Sequence, residues 1–88
     1  MDLGLQHKAV IVTGAASNIG RAIALGFARE GANLTLGDID ETNAQAVAAL
    51  AREAGAAAAE VVRCDVTKLD EVQAMFARTV ERCGTVDV

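Results

Sequence analysis

The residues Thr13-Gly14-Ala15-Ala16-Ser17-Asn18-Ile19-Gly20 carry the clearest chemistry in the chain. They follow a β-branched apolar run and precede a helical pattern. A glycine loop in that place is suited to an anion, and to a diphosphate in particular. Gly14 lets the chain turn sharply off a strand, and the loop then offers backbone N–H groups. Gly20 lets helix and strand pack closely, and the helix N-terminus adds unsatisfied donors and the positive end of its dipole. Ser17 supplies a hydroxyl donor. A glycine loop by itself is a weak signal; its position between strand and helix makes it a stronger one.

Asp38 is the second candidate, 18 residues after Gly20. An acidic residue at the end of the second strand of such a unit accepts hydrogen bonds from both ribose hydroxyls of an adenosine. Gly37 just before it is read as leaving room for the sugar. The same carboxylate repels a 2′-phosphate. At about 4 Å and an effective dielectric near 20, a unit-charge pair costs roughly 4 kcal/mol as an upper guide. No Arg or Lys stands in the loop before Gly20 or directly after Asp38. The expected cofactor is therefore NAD rather than NADP.

These residues need a scaffold, and the sequence supplies one. Lys8–Thr13 is a short β-branched run of the kind buried on both faces of a sheet. Asn33–Leu36 and Glu60–Cys64 are weaker runs of the same type, and Val86–Val88 reads as the opening of a fourth. Three helical patterns lie between them. Ile19, Ile23 and Phe27 form the expected apolar stripe of the first, which Glu30-Gly31 ends. Asp40 is the expected N-cap of the second; Val47, Leu50, Ala51 and Ala54 form its face, and Gly55 closes it. The third begins at Thr67 in capping-box-like spacing with Asp70. Leu69, Val72, Phe76, Val80 and Cys83 are its expected buried side, and Gly84 stops it. The tract from Ala56 to Ala59 either extends the second helix or leads into the third strand.

The alternation predicts an α/β fold, with a Rossmann-like doubly wound parallel sheet and right-handed crossovers. The order is β-α-β-α-β-α and the start of a fourth strand. A parallel sheet is covered on both faces, and three helices do not suffice for that. The 88 residues are thus expected to be the amino-terminal part of a single dinucleotide-binding domain, poorly stable when isolated. Of the apolar residues, 19 are Ala, which leaves few large core side chains.

Composition narrows the function further. The formal net charge is −4, with dispersed basic residues and neither Tyr nor Trp, which argues against a nucleic-acid partner. No long apolar run or secretory leader is present, so no membrane is expected. Cys64, Cys83 and the single His7 cannot make a zinc cage, so no metal is expected. The two cysteines read as ordinary thiols of a reducing cytoplasm. His7 is read as exposed, Arg21 as a solvated surface residue, and Arg52-Glu53 and Glu81-Arg82 as solvated helix faces.

The glycine loop followed by Arg21-Ala22-Ile23-Ala24, then Gly37-Asp38-Ile39-Asp40, and then Cys64-Asp65-Val66-Thr67 together resemble the short-chain dehydrogenases/reductases. The resemblance runs over essentially the whole chain, and Asp65-Val66-Thr67 makes it fairly specific. It implies a single-domain Rossmann fold that interconverts alcohols and carbonyls with a nicotinamide cofactor. It implies that Gly14, Ser17, Asn18, Ile19 and Gly20 hold the pyrophosphate and neighbouring ribose. It also implies that Asp65 and Val66 lie against the adenine, and Ile39, next to Asp38, is a further expected cofactor-binding residue.

The resemblance further implies a small alcohol or ketone substrate and a homo-oligomer, dimer or tetramer. The catalytic Ser, Tyr and Lys would follow Val88, so none of the 88 residues is expected to be catalytic. One departure is that Asn18 stands where the family's Thr-Gly-x-x-x-Gly-x-Gly loop has its middle Gly. Asn tolerates a left-handed backbone, and its side chain could also bond the cofactor. Two other readings stay open: a non-catalytic nucleotide-binding module or inactive fragment, and an α/β protein binding another adenosine compound such as a methyl donor.

Overall fold

The computed structural model describes Gly4 and residues 6–88. The elements are β1 (Ala9–Thr13), α1 (Asn18–Arg29), β2 (Asn33–Asp38), α2 (Glu41–Ala54), β3 (Ala58–Arg63) and α3 (Leu69–Cys83). The strands form a parallel sheet in the order β1-β2-β3, with Val10 opposite Leu34 and Leu34 opposite Ala59. The expected alternation is therefore present. The Ala56–Ala59 tract leads into β3 rather than extending α2, and Ala57 N–H bonds Ala32 O at 2.9 Å.

Strand periodicity divides the helices between the two faces. Leu34 and Leu36 of β2 share a buried cluster with Ala24 and Ala28 of α1 and with Val47, Ala48 and Ala51 of α2. Thr35 and Gly37 point the other way, to Thr79 and Met75 of α3. Thus α1 and α2 cover one face and α3 the other.

The last residues run along the free edge of β1. The amides of Asp87 and Val88 donate to Ala9 O, and Ile11 N–H donates to Val88 O at 3.0 Å. That is the hydrogen-bond pattern of a parallel pair. After stepping outward from β1 to β3, the chain returns through α3 to the opposite side of β1. The carboxyl ends of the strands, where α/β sheets bind ligands, carry the loops that follow β1, β2 and β3.

The helices end largely as expected. Ser17 caps α1, Asp40 caps α2 by accepting from Asn43 N–H, and Gly84 closes α3 with φ of 84°. The start of α3 differs. Its N-cap is Lys68, and the Thr67 side chain serves Asp65 instead of the helix.

The buried faces of α1 and α3 also differ from the expected stripes. In α1 the sheet side is Gly20, Ala24 and Ala28, while Ile19 is 76% exposed and Ile23 46%. The helix start rests on the loop after β1 at Gly20, and Phe27 of the expected stripe, with Leu25, packs partly buried against the core. In α3 the sheet side is Met75 and Thr79, with Leu69 70% exposed and Phe76 and Val80 half-exposed. Leu50 of α2 is exposed as well, and Ala44, Val47, Ala48 and Ala51 form the buried face.

The polar side of α3 is tied to the sheet. Thr79 Oγ1 lies 2.8 Å from Thr35 Oγ1, both buried, and 3.0 Å from Met75 O, so that with its one proton on Met75 O it accepts from the Thr35 hydroxyl. Arg82 is not a solvated residue. It donates to Thr35 Oγ1, Leu34 O and Asn33 Oδ1, and its Nε lies 2.8 Å from Glu60 Oε2. Glu60 also pairs with Arg78. Arg52 is exposed, as expected, and also donates to Ala59 O at 2.6 Å. His7 is exposed, with φ of 62°. No helix among the described residues is long and apolar enough to cross a membrane.

Candidate functional site: a crevice at the strand ends

The glycine loop is built by two close approaches. Gly14 turns the chain off β1 with φ of 65°. A Cβ on Gly20 would lie 2.0 Å from Gly14 O and 3.0 Å from Ala15 Cα, so the helix rests directly on the loop backbone. Ser17 locks this arrangement. Its hydroxyl donates to Gly14 O at 2.7 Å and accepts from Gly20 N–H at 3.0 Å. The hydroxyl proton is therefore spent inside the loop, and Ser17 shapes the site rather than offering the free donor expected of it.

Most amides of this segment already have acceptors. Ala15 N–H bonds Gly37 O, Ala16 N–H bonds Asp38 Oδ2, Ser17 N–H bonds Gly14 O and Arg21 N–H bonds Ser17 O. The amides of Asn18 and Ile19 have no partner among the described residues. They are the first two of α1, where the helix cannot supply an acceptor. Asn18 has an ordinary negative φ, because His7 is the only non-Gly residue with positive φ among those described. Its replacement of the family's Gly thus needs no left-handed backbone. Asn18 opens the helix, where Asn costs little.

Asp38 ends β2, half-buried, with its carboxylate against the loop. Oδ2 accepts from Ala16 N–H at 2.9 Å and Oδ1 from Asp40 N–H at 2.8 Å. An ionised carboxylate has about four acceptor sites, so roughly two remain for a ligand. Gly37 serves a different purpose from the one expected. A Cβ there would meet Met75 Sδ at 2.5 Å and Cys64 Cβ at 3.7 Å. The missing side chain makes room for α3 rather than for a sugar.

Asp65 follows β3 and shapes the opposite wall. Its Oδ1 accepts from the Thr67 amide at 3.0 Å and the Thr67 hydroxyl at 2.6 Å. Those bonds, the hydroxyl's first, hold the Asp65 carboxyl below its ordinary range. Cys64 beside it is buried, and that burial pushes its thiol up, helped by the charges of Glu71 and Asp65. Gly14, Asp38, Ile39, Cys64, Asp65 and Val66 together line a crevice of about 140 Å³. Ile39 and Val66 are more than half exposed, as apolar lips on its rim.

The structure thus brings Gly14, Asp38, Ile39, Asp65 and Val66 together. Asn18 and Ile19 stand at the adjacent helix start, with Ser17 and Gly20 fixing it. Three participants were not legible in the sequence. Cys64 lines the crevice. Arg63 stands opposite Asp38 in the β2–β3 register, with its guanidinium toward Glu71 at 3.9 Å. Glu71 Oε1 accepts from Asp65 N–H at 3.1 Å. Its place three residues after Lys68 suits a glutamate that reaches back, but the spacing does not say how far.

A family model described as "Enoyl-(Acyl carrier protein) reductase" matches residues 14–88. A 3beta-hydroxysteroid dehydrogenase of Mediterraneibacter gnavus is 43% identical over 82 residues, 93% of this chain and 29% of the relative. The 11-beta-hydroxysteroid dehydrogenase A of Sesamum indicum is 39% identical over 80 residues, 91% of this chain and 23% of its own length. Among solved structures, a short-chain type dehydrogenase/reductase from Mycobacterium marinum superposes with a TM-score of 0.87 at 32% identity. It covers 94% of this chain and 33% of its own. A hydroxysteroid dehydrogenase from Escherichia coli gives the same TM-score at 35% identity, covering 94% and 34%. The chain belongs to the short-chain dehydrogenase/reductase family, and it spans about a quarter to a third of the relatives it matches.

Proposed function

We propose that these residues are the NAD-binding part of an oxidoreductase that interconverts a secondary alcohol and a ketone by hydride transfer. One observation supports this most directly: the glycine loop, whose Gly14 lines the crevice with an Asp38 carboxylate already fixed by backbone donors, leads into a helix whose first two amides are unpaired among the described residues. The glycine loop suits a diphosphate: Gly14 turns the chain sharply off β1, and Gly20 lets the helix start rest directly on the loop backbone. Asn18 and Ile19 N–H would hold the diphosphate, with the helix dipole behind them. Asp38 would accept from the ribose hydroxyls, and Asp65 and Val66 would border the adenine.

The bound nicotinamide would supply the hydride chemistry. No Tyr occurs among the 88 residues. In this reading the groups that move the alcohol proton lie outside them, as do the substrate contacts. NAD is favoured over NADP because the Asp38 carboxylate would face a 2′-phosphate, and because Arg63, its cross-strand neighbour, is turned toward Glu71. Hydroxysteroids are among the substrates named for the relatives, and this chain is proposed to share the alcohol–ketone chemistry alone.

The test is calorimetric titration of the full-length protein and of Asp38→Ala with NAD and with NADP. Losing hydrogen bonds to a charged acceptor should weaken NAD at least about tenfold, while NADP weakens less or gains. An unchanged NAD affinity in the variant would remove the assignment.

A further inference from the structure

We infer that Glu71 is a positioning residue for adenine recognition: its carboxylate anchors the turn that carries Asp65 and Val66, and so sets how well the site tells adenine from other purines. The inference rests on the dinucleotide reading above. Glu71 occupies the third position of α3, where a glutamate ordinarily bonds the amide of the N-cap residue. The N-cap here is Lys68, and its amide is already used by Asp65 O at 3.0 Å. Glu71 Oε1 reaches past it to Asp65 N–H at 3.1 Å. The carboxylate is itself flanked by two cations, Lys68 Nζ at 3.8 Å and Arg63 at 3.9 Å, and is mostly buried between them.

The turn has two kinds of support. Its internal shape comes from the Thr67 amide and hydroxyl on Asp65 Oδ1, and from the Lys68 N–H to Asp65 O bond. Its attachment to α3 by a side chain comes from Glu71. Asp65 lines the crevice, and its Oδ2 has no partner among the described residues. It is therefore the acceptor available to an exocyclic amine. Without Glu71 the turn keeps its form, and Cys64 N–H still bonds Asp38 O at 3.2 Å, but the Asp65 amide loses its side-chain tie to α3 and Oδ2 is held less firmly in direction.

The experiment uses the full-length protein, with NAD and the analogue whose adenine is replaced by hypoxanthine. The analogue carries a carbonyl in place of the amine. The wild type should prefer NAD by about tenfold, the scale of a hydrogen bond to a charged acceptor. Glu71→Ala should reduce that preference to about twofold or less, whereas Glu71→Gln, which keeps the acceptor oxygen, should retain most of it. A purely structural role would weaken both ligands alike and leave the ratio unchanged. An unchanged ratio in Glu71→Ala overturns the inference while leaving the dinucleotide reading intact. A wild type that binds NAD without preferring it removes the role of Asp65 and this inference with it. Failure to bind either ligand removes the dinucleotide reading itself.

Discussion

Gly20 and Gly26 lie on the same helix, and the same substitution at each should act in opposite directions. A Cβ at Gly20 would sit 2.0 Å from Gly14 O and 2.7 Å from Gly14 C. Ordinary contact needs 3.4 Å, so the helix start must retreat by about 1.4 Å from the loop. The obstructing atoms are backbone, and no side chain can rotate out of the way. Overpacking of this kind costs about 1–3 kcal/mol. The movement also carries the Asn18 and Ile19 amides away from the crevice. Losing two charge-assisted hydrogen bonds at roughly 1.5 kcal/mol each gives about 3 kcal/mol, or on the order of a hundredfold in NAD affinity. Gly26 is exposed in mid-helix, and a Cβ there meets nothing within 4 Å. Alanine at that position should stabilise by about 0.5–1 kcal/mol and leave affinity alone. Urea unfolding and calorimetric titration of the full-length variants read both effects. If Gly20→Ala is as stable as Gly26→Ala, or binds NAD within twofold of the wild type, the close approach does not govern the site.

Two predictions concern titration and thiol chemistry. Hydrogen bonds from Thr67 depress the Asp65 carboxyl in the folded state. Their contribution is complete above the unfolded pKa, near 4, and disappears as the pH falls through the folded value. Thr67→Val removes the hydroxyl donor, so the Asp65 midpoint in a carboxyl NMR titration should rise toward its ordinary value; an unmoved midpoint would contradict the clasp. Cys64 is buried with its thiol pushed up, whereas Cys83 is only half-buried. A thiol reagent near neutral pH should therefore modify Cys83 first and reach Cys64 only on unfolding, as peptide mapping would reveal. Early modification of Cys64 would mean that the crevice floor is open.

Much of the fold was readable along the chain because the signals are local. A β-branched run, an Asp at a helix start and a Gly past a helix end act within a few residues. So β1, the Asp40 cap and the stops at Gly55 and Gly84 fall where expected. Gly14, Gly20 and Asp38 were readable as a group because the strand–loop–helix unit fixes their spacing. What the sequence could not determine was which side of α1 and of α3 meets the sheet; the face expected of α2 was right at Val47 and Ala51. Ile19, Ile23, Leu69 and Phe76 form stripes at helical period, yet the sheet takes Gly20, Ala24, Met75 and Thr79. Helical periodicity reports that a face is apolar but not what it packs on, and the approach of α1 to the loop after β1 leaves no room for a side chain at position 20.

The sequence by itself determined the alternation of strands and helices, the glycine turn and the acidic residue at the end of β2. Only the tertiary structure decided how the polar groups are distributed between scaffold and site. Ser17, read as a free donor, is consumed by Gly14 and Gly20. Gly37, read as space for a sugar, makes room for Met75. Arg82, read as solvated, binds the sheet. Asp38 holds the loop, and Glu71 holds the turn after β3. These partners are distant along the chain or lie on different elements. Their pairing is set by where packing brings donors and acceptors within about 3 Å, a distance that residue spacing does not encode.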